Sequence, residues 1–130
     1  MSISGGAKDE FIFSGRLDNL CSSYQSVRAL IDASSEAVTN PASDLHKNIQ
    51  VVMLFDHEEV GSASSQGAGS SMFVDTLKRI HKNFAPEASD ALMQAFRRSL
   101  VISIDMAHAH HPNYPAKHDP AMAPKINRGD

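Results

Sequence analysis

One cysteine, no tryptophan and no long hydrophobic run occur in these 130 residues, and each scarcity removes a class of protein. A lone Cys21 permits no internal disulfide framework, which fits a reducing compartment. No stretch approaches the roughly 18 apolar residues that a transmembrane helix requires. Met1 to Lys8 is rich in Ser and Gly and lacks the apolar core and cleavage site of a secretory leader. The expected compartment is the cytosol. Lys and Arg number 12 against 15 Asp and Glu, for a formal net charge of −3. That balance leaves no basic footprint for nucleic acid and no polybasic segment for a membrane surface. No GxSxG elbow is present, Cys21 falls inside an expected helix, and Gly67-Ala68-Gly69 is too weak a pattern for a phosphate loop.

What remains is ordinarily globular, with 42% hydrophobic and 21% charged residues. A chain of this size buries about two-thirds of its unfolded surface when it folds alone. Glu10 to Phe13 reads as a short buried strand closed by Ser14-Gly15. Leu17, Leu20, Cys21, Tyr24, Val27, Leu30 and Ile31 recur at steps of three and four, the stripe of an amphipathic helix that fades near Ser34-Ser35. Residues 36–48, with Asn40-Pro41, read as a surface connection. Ile49 to Phe55 is a nearly continuous apolar run, the pattern of an interior strand covered on both faces.

Gly61 to Ser71 is Gly/Ser-rich, and its position behind a charged cluster favours an ordered turn over a linker. A helix is expected near Met72 to Phe84. Another starts at Pro86-Glu87, turns Ala88, Leu92 and Phe96 inward, and ends around Arg97-Arg98. Leu100 to Ile104 is a third strand. Strands alternating with helices predict an α/β fold with a largely parallel sheet, part of a three-layer α/β/α sandwich. Two or three helices are scant cover for such a sheet. The chain reads as cut at both ends.

Acidic residues stand at the ends of all three strand regions: Asp18, then Asp56, Glu58 and Glu59, then Asp105. In open parallel sheets ligands bind at the carboxyl ends of strands. Roughly forty residues separate Asp18 from Glu59 and Glu59 from Asp105, room for a helical crossover of about a dozen or more. Converging carboxylates repel one another, and a divalent cation removes the conflict. Carboxylates and His are normal zinc ligands, and two metals about 3.5–4 Å apart are common in aminopeptidases. The bland alternative is an ordinary α/β domain whose acids cap helices and strand ends. Glu58 and Glu59 are neighbours whose side chains point differently, so one can hold a metal while the other faces a substrate water as general base. His108, His110 and His111 crowd the segment behind Asp105, with His118 beyond. That segment lacks helical i, i+4 spacing, so these histidines are expected to shape a pocket or hold other groups in place. His57, His46 and His81 rank lower.

The segments SGRLDNL (14–20), FDHEEVGS (55–62) and SIDMAHAHHPNY (103–114), followed by Lys117-His118, closely resemble the aspartyl aminopeptidase family. The match runs in order from about Gly6 to Gly129. The resemblance implies a site for two zinc ions on an α/β/α fold. By the family pattern Asp18 bridges both metals, Glu58 is the general base, and Glu59 and Asp105 each ligate one metal. Asn19 follows the bridging Asp through a peptide expected to be cis, and Asn19, His108 and His111 are candidates for contacting substrate or supporting the ligands. Family members remove N-terminal Asp or Glu from peptides, assemble into homo-oligomeric dodecamers and reside in the cytosol or vacuole. The family also takes one zinc-binding His ahead of SGRLDNL and another after DMAHA, and a basic residue past Asp130 meets the substrate's acidic side chain. The expectation is therefore an incomplete catalytic domain over 1–130 with no second domain, binding zinc weakly and turning over little alone. A different class of reading is a short non-catalytic product that joins full-length subunits as a structural or regulatory partner, or acts as a metal-binding module.

Overall fold

A computed structural model describes residues 1–88 and 90–128. Ser89, Gly129, where the family resemblance ends, and Asp130 lie outside the described residues. Two strands open the chain, β1 (Ile3–Gly5) and β2 (Phe11–Phe13). They pair antiparallel, with Ile3 opposite Phe13 and Gly5 opposite Phe11. Gly6 turns the chain at φ +98°, and Asp9 N donates back to Gly6 O at 3.4 Å. A side chain at Gly5 would meet the Phe13 ring at 2.9 Å. The expected buried strand at 10–13 is thus an exposed hairpin arm, and its partner lies in the Ser/Gly-rich start of the chain.

Helix α1 runs Leu17–Thr39, four residues past Ser35, where it was expected to fade. Its first turn departs from helical geometry at Asp18 (φ −88°, ψ 110°) and Asn19 (φ −121°, ψ 32°). The end comes at Asn40-Pro41, where the proline disfavours helix in the residue before it. A single turn of tighter helix, Asp44–Lys47, follows, with Ser43 Oγ accepting from Leu45 N. Helix α2 spans Met72–Phe84, as its periodicity predicts. Helix α3 covers only Ala91–Arg98, because Pro86 and Glu87 are spent in a turn rather than a first helical turn. Leu92 and Phe96 are its less exposed residues, as expected, whereas Ala88 precedes it and is exposed. A last tight turn, Pro115–Lys117, is started by its proline.

The expected parallel strands are a correction. Ile49–Phe55 and Leu100–Ile104 join no ladder, and the hairpin is the one sheet among the described residues. Apolar runs of this kind become strands only against neighbours that take their N–H and C=O groups. The chain is α/β in content, with helices and a two-stranded sheet. It divides into two compact units, one formed by Met1–Gln25 with the chain from Ile104 onward, the other by Ser26–Ser103.

Apolar burial is nearly absent. No hydrophobic residue among those described is buried, and the buried polar residue is Ser22. The accessible surface is 11354 Å² for 14.1 kDa. A compact monomer of this mass exposes about 6,700 Å², and even two separate units of half the mass total about 8,100 Å². Ile49, Val38, Leu100 and Val101 are among the most exposed.

Candidate functional site

In the first unit, the residues around two of the candidate ligands are tied together. The Asp18–Asn19 peptide is cis, as the family resemblance implies. Asn19 Nδ2 donates to the carbonyl of Ile104 at 3.1 Å, so the residue after Asp18 holds the residue before Asp105. Next to it, Ser22 Oγ approaches Met106 Sδ at 3.6 Å, and Met106 N donates to Asp105 Oδ1 at 2.7 Å. Ser23 Oγ donates to Asn19 O at 2.8 Å. Two polar links therefore join the start of α1 to residues 104–106, one on each side of Asp105. Asp18 and Asp105 are both exposed. Asn19 Oδ1 is buried without a hydrogen-bond partner.

Behind Asp105, the expected histidine cluster is present. The His118 ring lies 5.1 Å from that of His110 and 5.6 Å from that of His108. His111 N donates to His118 Nε2 at 3.4 Å, and Asn113 N donates to His111 Nδ1 at 3.2 Å. His111 also faces Tyr114 at 5.0 Å, with Lys117 over the far ring at 5.4 Å. His110 N donates to Pro124 O at 2.8 Å, fastening the segment to the later chain. Partial removal of His118 from water, then the neighbouring His110, His108 and His111 rings, hold its pKa below the ordinary 6.5.

The second unit contains the Glu58-Glu59 turn. Gly61 N donates to Glu58 O at 2.8 Å and Ser62 N to His57 O at 2.9 Å, the paired bonds of a Schellman-type closure with Gly61 at φ +94°. His57 and Ser62 also take positive φ, 60° and 59°. Gly69 N donates to Ser62 O at 3.1 Å, and Asp56 N to Gln66 O at 3.1 Å. Gly67 is packed so tightly that a Cβ there would stand 2.1 Å from Ser62 O. The Gly/Ser segment is therefore an ordered turn. His57 Nδ1 meets Ser64 Oγ at 2.6 Å, and His57 Nε2 lies 3.7 Å from Asp56 Oδ2. Glu58 and Glu59 are exposed.

Ser64 and the Ile104 carbonyl were not singled out from sequence. Ser64 sits in a run of similar serines, and a carbonyl has no sequence signature at all. His81, ranked low among the candidate histidines, is half-buried with Nε2 unpartnered. Cys21 receives a contact from Gln25 Nε2 at 3.3 Å within α1, a helical position rather than a nucleophile's.

The candidate ligands divide between the units, Asp18 and Asp105 in one and Glu59 in the other. In kind these donors suit zinc, and the orphaned Asn19 Oδ1 adds an open acceptor next in sequence to Asp18. In number they are an incomplete set: among the described residues no three His, Cys, Asp or Glu side chains gather closely enough to hold a metal ion.

A family model described as Aminopeptidase I zinc metalloprotease (M18) matches residues 1–130. The probable aspartyl aminopeptidase of Ricinus communis is 49% identical over 132 residues, covering 98% of this chain and 25% of that protein. The aspartyl aminopeptidase of Dictyostelium discoideum is 42% identical over 131 residues, covering 96% of this chain and 26% of that protein. A chain in the cryo-EM structure of the Ape4 and Nbr1 complex superposes with a TM-score of 0.69 at 34% identity, over 98% of this chain and 23% of that one. The chain thus spans about a quarter of the length of the relatives it matches. With its motifs and a family-model match over residues 1–130, the chain belongs to the M18 family of zinc aminopeptidases.

Proposed function

We propose that the protein carrying these residues is a zinc-dependent aspartyl aminopeptidase releasing N-terminal Asp or Glu from peptides, and that this chain supplies the middle of its catalytic domain. The observation that best supports this is the Asn19–Ile104 bond, which ties the Asp18 segment to the Asp105 segment across the sequence. In this reading Asp18, Glu59 and Asp105 would hold the zinc, Asp18 serving both ions and the other two one each. Zinc, when bound, would lower the pKa of water to about 7 and polarise the scissile carbonyl. The Glu58 carboxylate takes a proton from the attacking water and delivers it to the departing amine. Adjacent placement suits the two roles, since Glu58 and Glu59 project differently from one turn.

The complete fold in this proposal is a three-layer α/β/α sandwich in which Ile49–Phe55 and Leu100–Ile104 find strand neighbours. Their exposure here supports that reading, because apolar runs of this length are otherwise unfavourable in water. Assembly of the whole enzyme as a homo-oligomer, a dodecamer by family resemblance, and residence in the cytosol or vacuole complete the proposal. Among the described residues no helix is long and apolar enough to cross a membrane.

Initial rates on peptides that differ only in their first residue test the reading, measured on a protein with the complete catalytic domain. Release of Asp or Glu should exceed release of Leu or Lys by at least about tenfold, vanish with a chelator and return with zinc. Equal rates on all four, or indifference to the chelator, would overturn it.

A further inference from the structure

We propose that Ser64 is a positioning residue for the Glu58-Glu59 turn, its hydroxyl latching His57 so that both carboxylates are held in place. The inference rests on the reading of Glu58 as base and Glu59 as ligand. The turn has no regular structure, and Asp56 through Val60 are all exposed, so hydrophobic packing does not hold it. Hydrogen bonds do. Most are backbone bonds that close within the loop. The His57 Nδ1–Ser64 Oγ contact, at 2.6 Å, is the side-chain pair that spans from the residue before Glu58 to a point beyond the Gly61-Ser62 closure.

The chemistry of the pair is directional. His57 N donates to Asp56 Oδ1 at 2.8 Å, and Asp56 Oδ2 lies 3.7 Å from Nε2. A carboxylate on that side favours the tautomer with its proton on Nε2, which leaves Nδ1 as an acceptor for the Ser64 hydroxyl. His57 sits at φ +60°, a conformation that non-glycine residues seldom adopt. Freed from Ser64, it is able to relax toward negative φ, and rotation there re-aims Glu58 directly. The other serines nearby are engaged locally: Ser65 Oγ with Gln66 Oε1, Ser70 Oγ with Met72 N, and Ser71 Oγ with Asp75 Oδ2. Only Ser64 among these reaches back across the turn.

The test compares Ser64→Ala with Ser64→Thr, which keeps the hydroxyl, in a protein with the complete catalytic domain. Three readings are taken: the ¹⁵N shift of His57 Nδ1, amide exchange at Gly61 and Ser62, and the separate values of kcat and KM. Ser64→Ala should move Nδ1 off its hydrogen-bonded shift and speed both amides by about tenfold or more. It should also lower kcat by about tenfold with KM within about twofold, and Ser64→Thr should restore all three. Unchanged exchange in Ser64→Ala, failure of Ser64→Thr to rescue, or an unaltered kcat in an active enzyme would each overturn the proposal. If shift and exchange respond but the wild-type protein cleaves no peptide, the latch is upheld, and the catalytic reading of Glu58 is what has failed.

Discussion

The side-chain amide of Asn19 reaches the carbonyl of Ile104 at 3.1 Å, across 85 residues of sequence. That bond is one of two long-range polar links between these segments of the first unit, the other running from Ser22 to Met106, and it makes Asn19 a residue on which their register depends. Asn19→Ala should release Ile104 O at a net cost of about 0.5–1.5 kcal/mol. Asn19→Asp should cost more, because a carboxylate would then face a carbonyl oxygen. Amide exchange at Asp105 and Met106 is the direct readout, with Asp the more disruptive substitution.

The glycines of the 61–69 turn separate steric demand from backbone demand. Gly67→Ala forces a Cβ to within 2.1 Å of a backbone carbonyl, and the chain must shift. Gly61→Ala meets open space but must hold φ at +94°, a strain of about 1–2 kcal/mol for an L-residue. Gly15→Ala meets neither obstacle. Protection of the Ser62 and Gly69 amides should fall most in Gly67→Ala, less in Gly61→Ala, and not in Gly15→Ala.

Acid should loosen the histidine segment. The pKa of His118 is lowered when folded, so below 6.5 the unfolded chain binds protons that the folded chain resists. Stability from this group is complete above pH 6.5 and is lost as pH falls through the lower folded value. Protonation also removes the Nε2 lone pair that accepts from His111 N. An NMR titration should show His118 protonating below pH 6.5, with the His111 amide losing protection over the same range. His118→Gln should flatten that dependence.

Local periodicity was the most legible feature of the sequence. Helix α2 begins at Met72 and ends at Phe84 as its stripe predicts. The end of α1 was misread because Ser35 and Thr39 resemble helix stops. In the fold their hydroxyls donate back to Ile31 O and Ser35 O, and the helix continues. Ile49–Phe55 carries the composition of a buried strand, but composition does not encode the neighbour that makes a strand, and none pairs with it here. The hairpin was missed for the opposite reason, since Ile3-Ser4-Gly5 has little strand character until Phe11–Phe13 pairs with it. Of the candidate site, the acids were legible from their places in motifs. The bonds from Asn19 and Ser64 were not, because loop contacts follow no period.

Exposed apolar surface has a consequence in solution. With no buried hydrophobic residue among those described, the 130-residue chain alone should self-associate. Light scattering after size exclusion should report species well above 14.1 kDa, and a hydrophobic dye should bind strongly. A monodisperse monomer with cooperative melting would instead favour an independent, non-catalytic product.

Glu58→Gln and Glu59→Gln, compared for zinc content and peptide cleavage in a protein with the complete catalytic domain, test the central claim most directly. The account predicts that Glu58→Gln keeps its zinc and loses about 10²–10⁴-fold in kcat, as removal of a general base does. Glu59→Gln should instead lose zinc. A Glu58→Gln variant cleaving within about twofold of wild type, or a Glu59→Gln variant with full zinc content, would contradict the assignment of base and ligand in the M18 site.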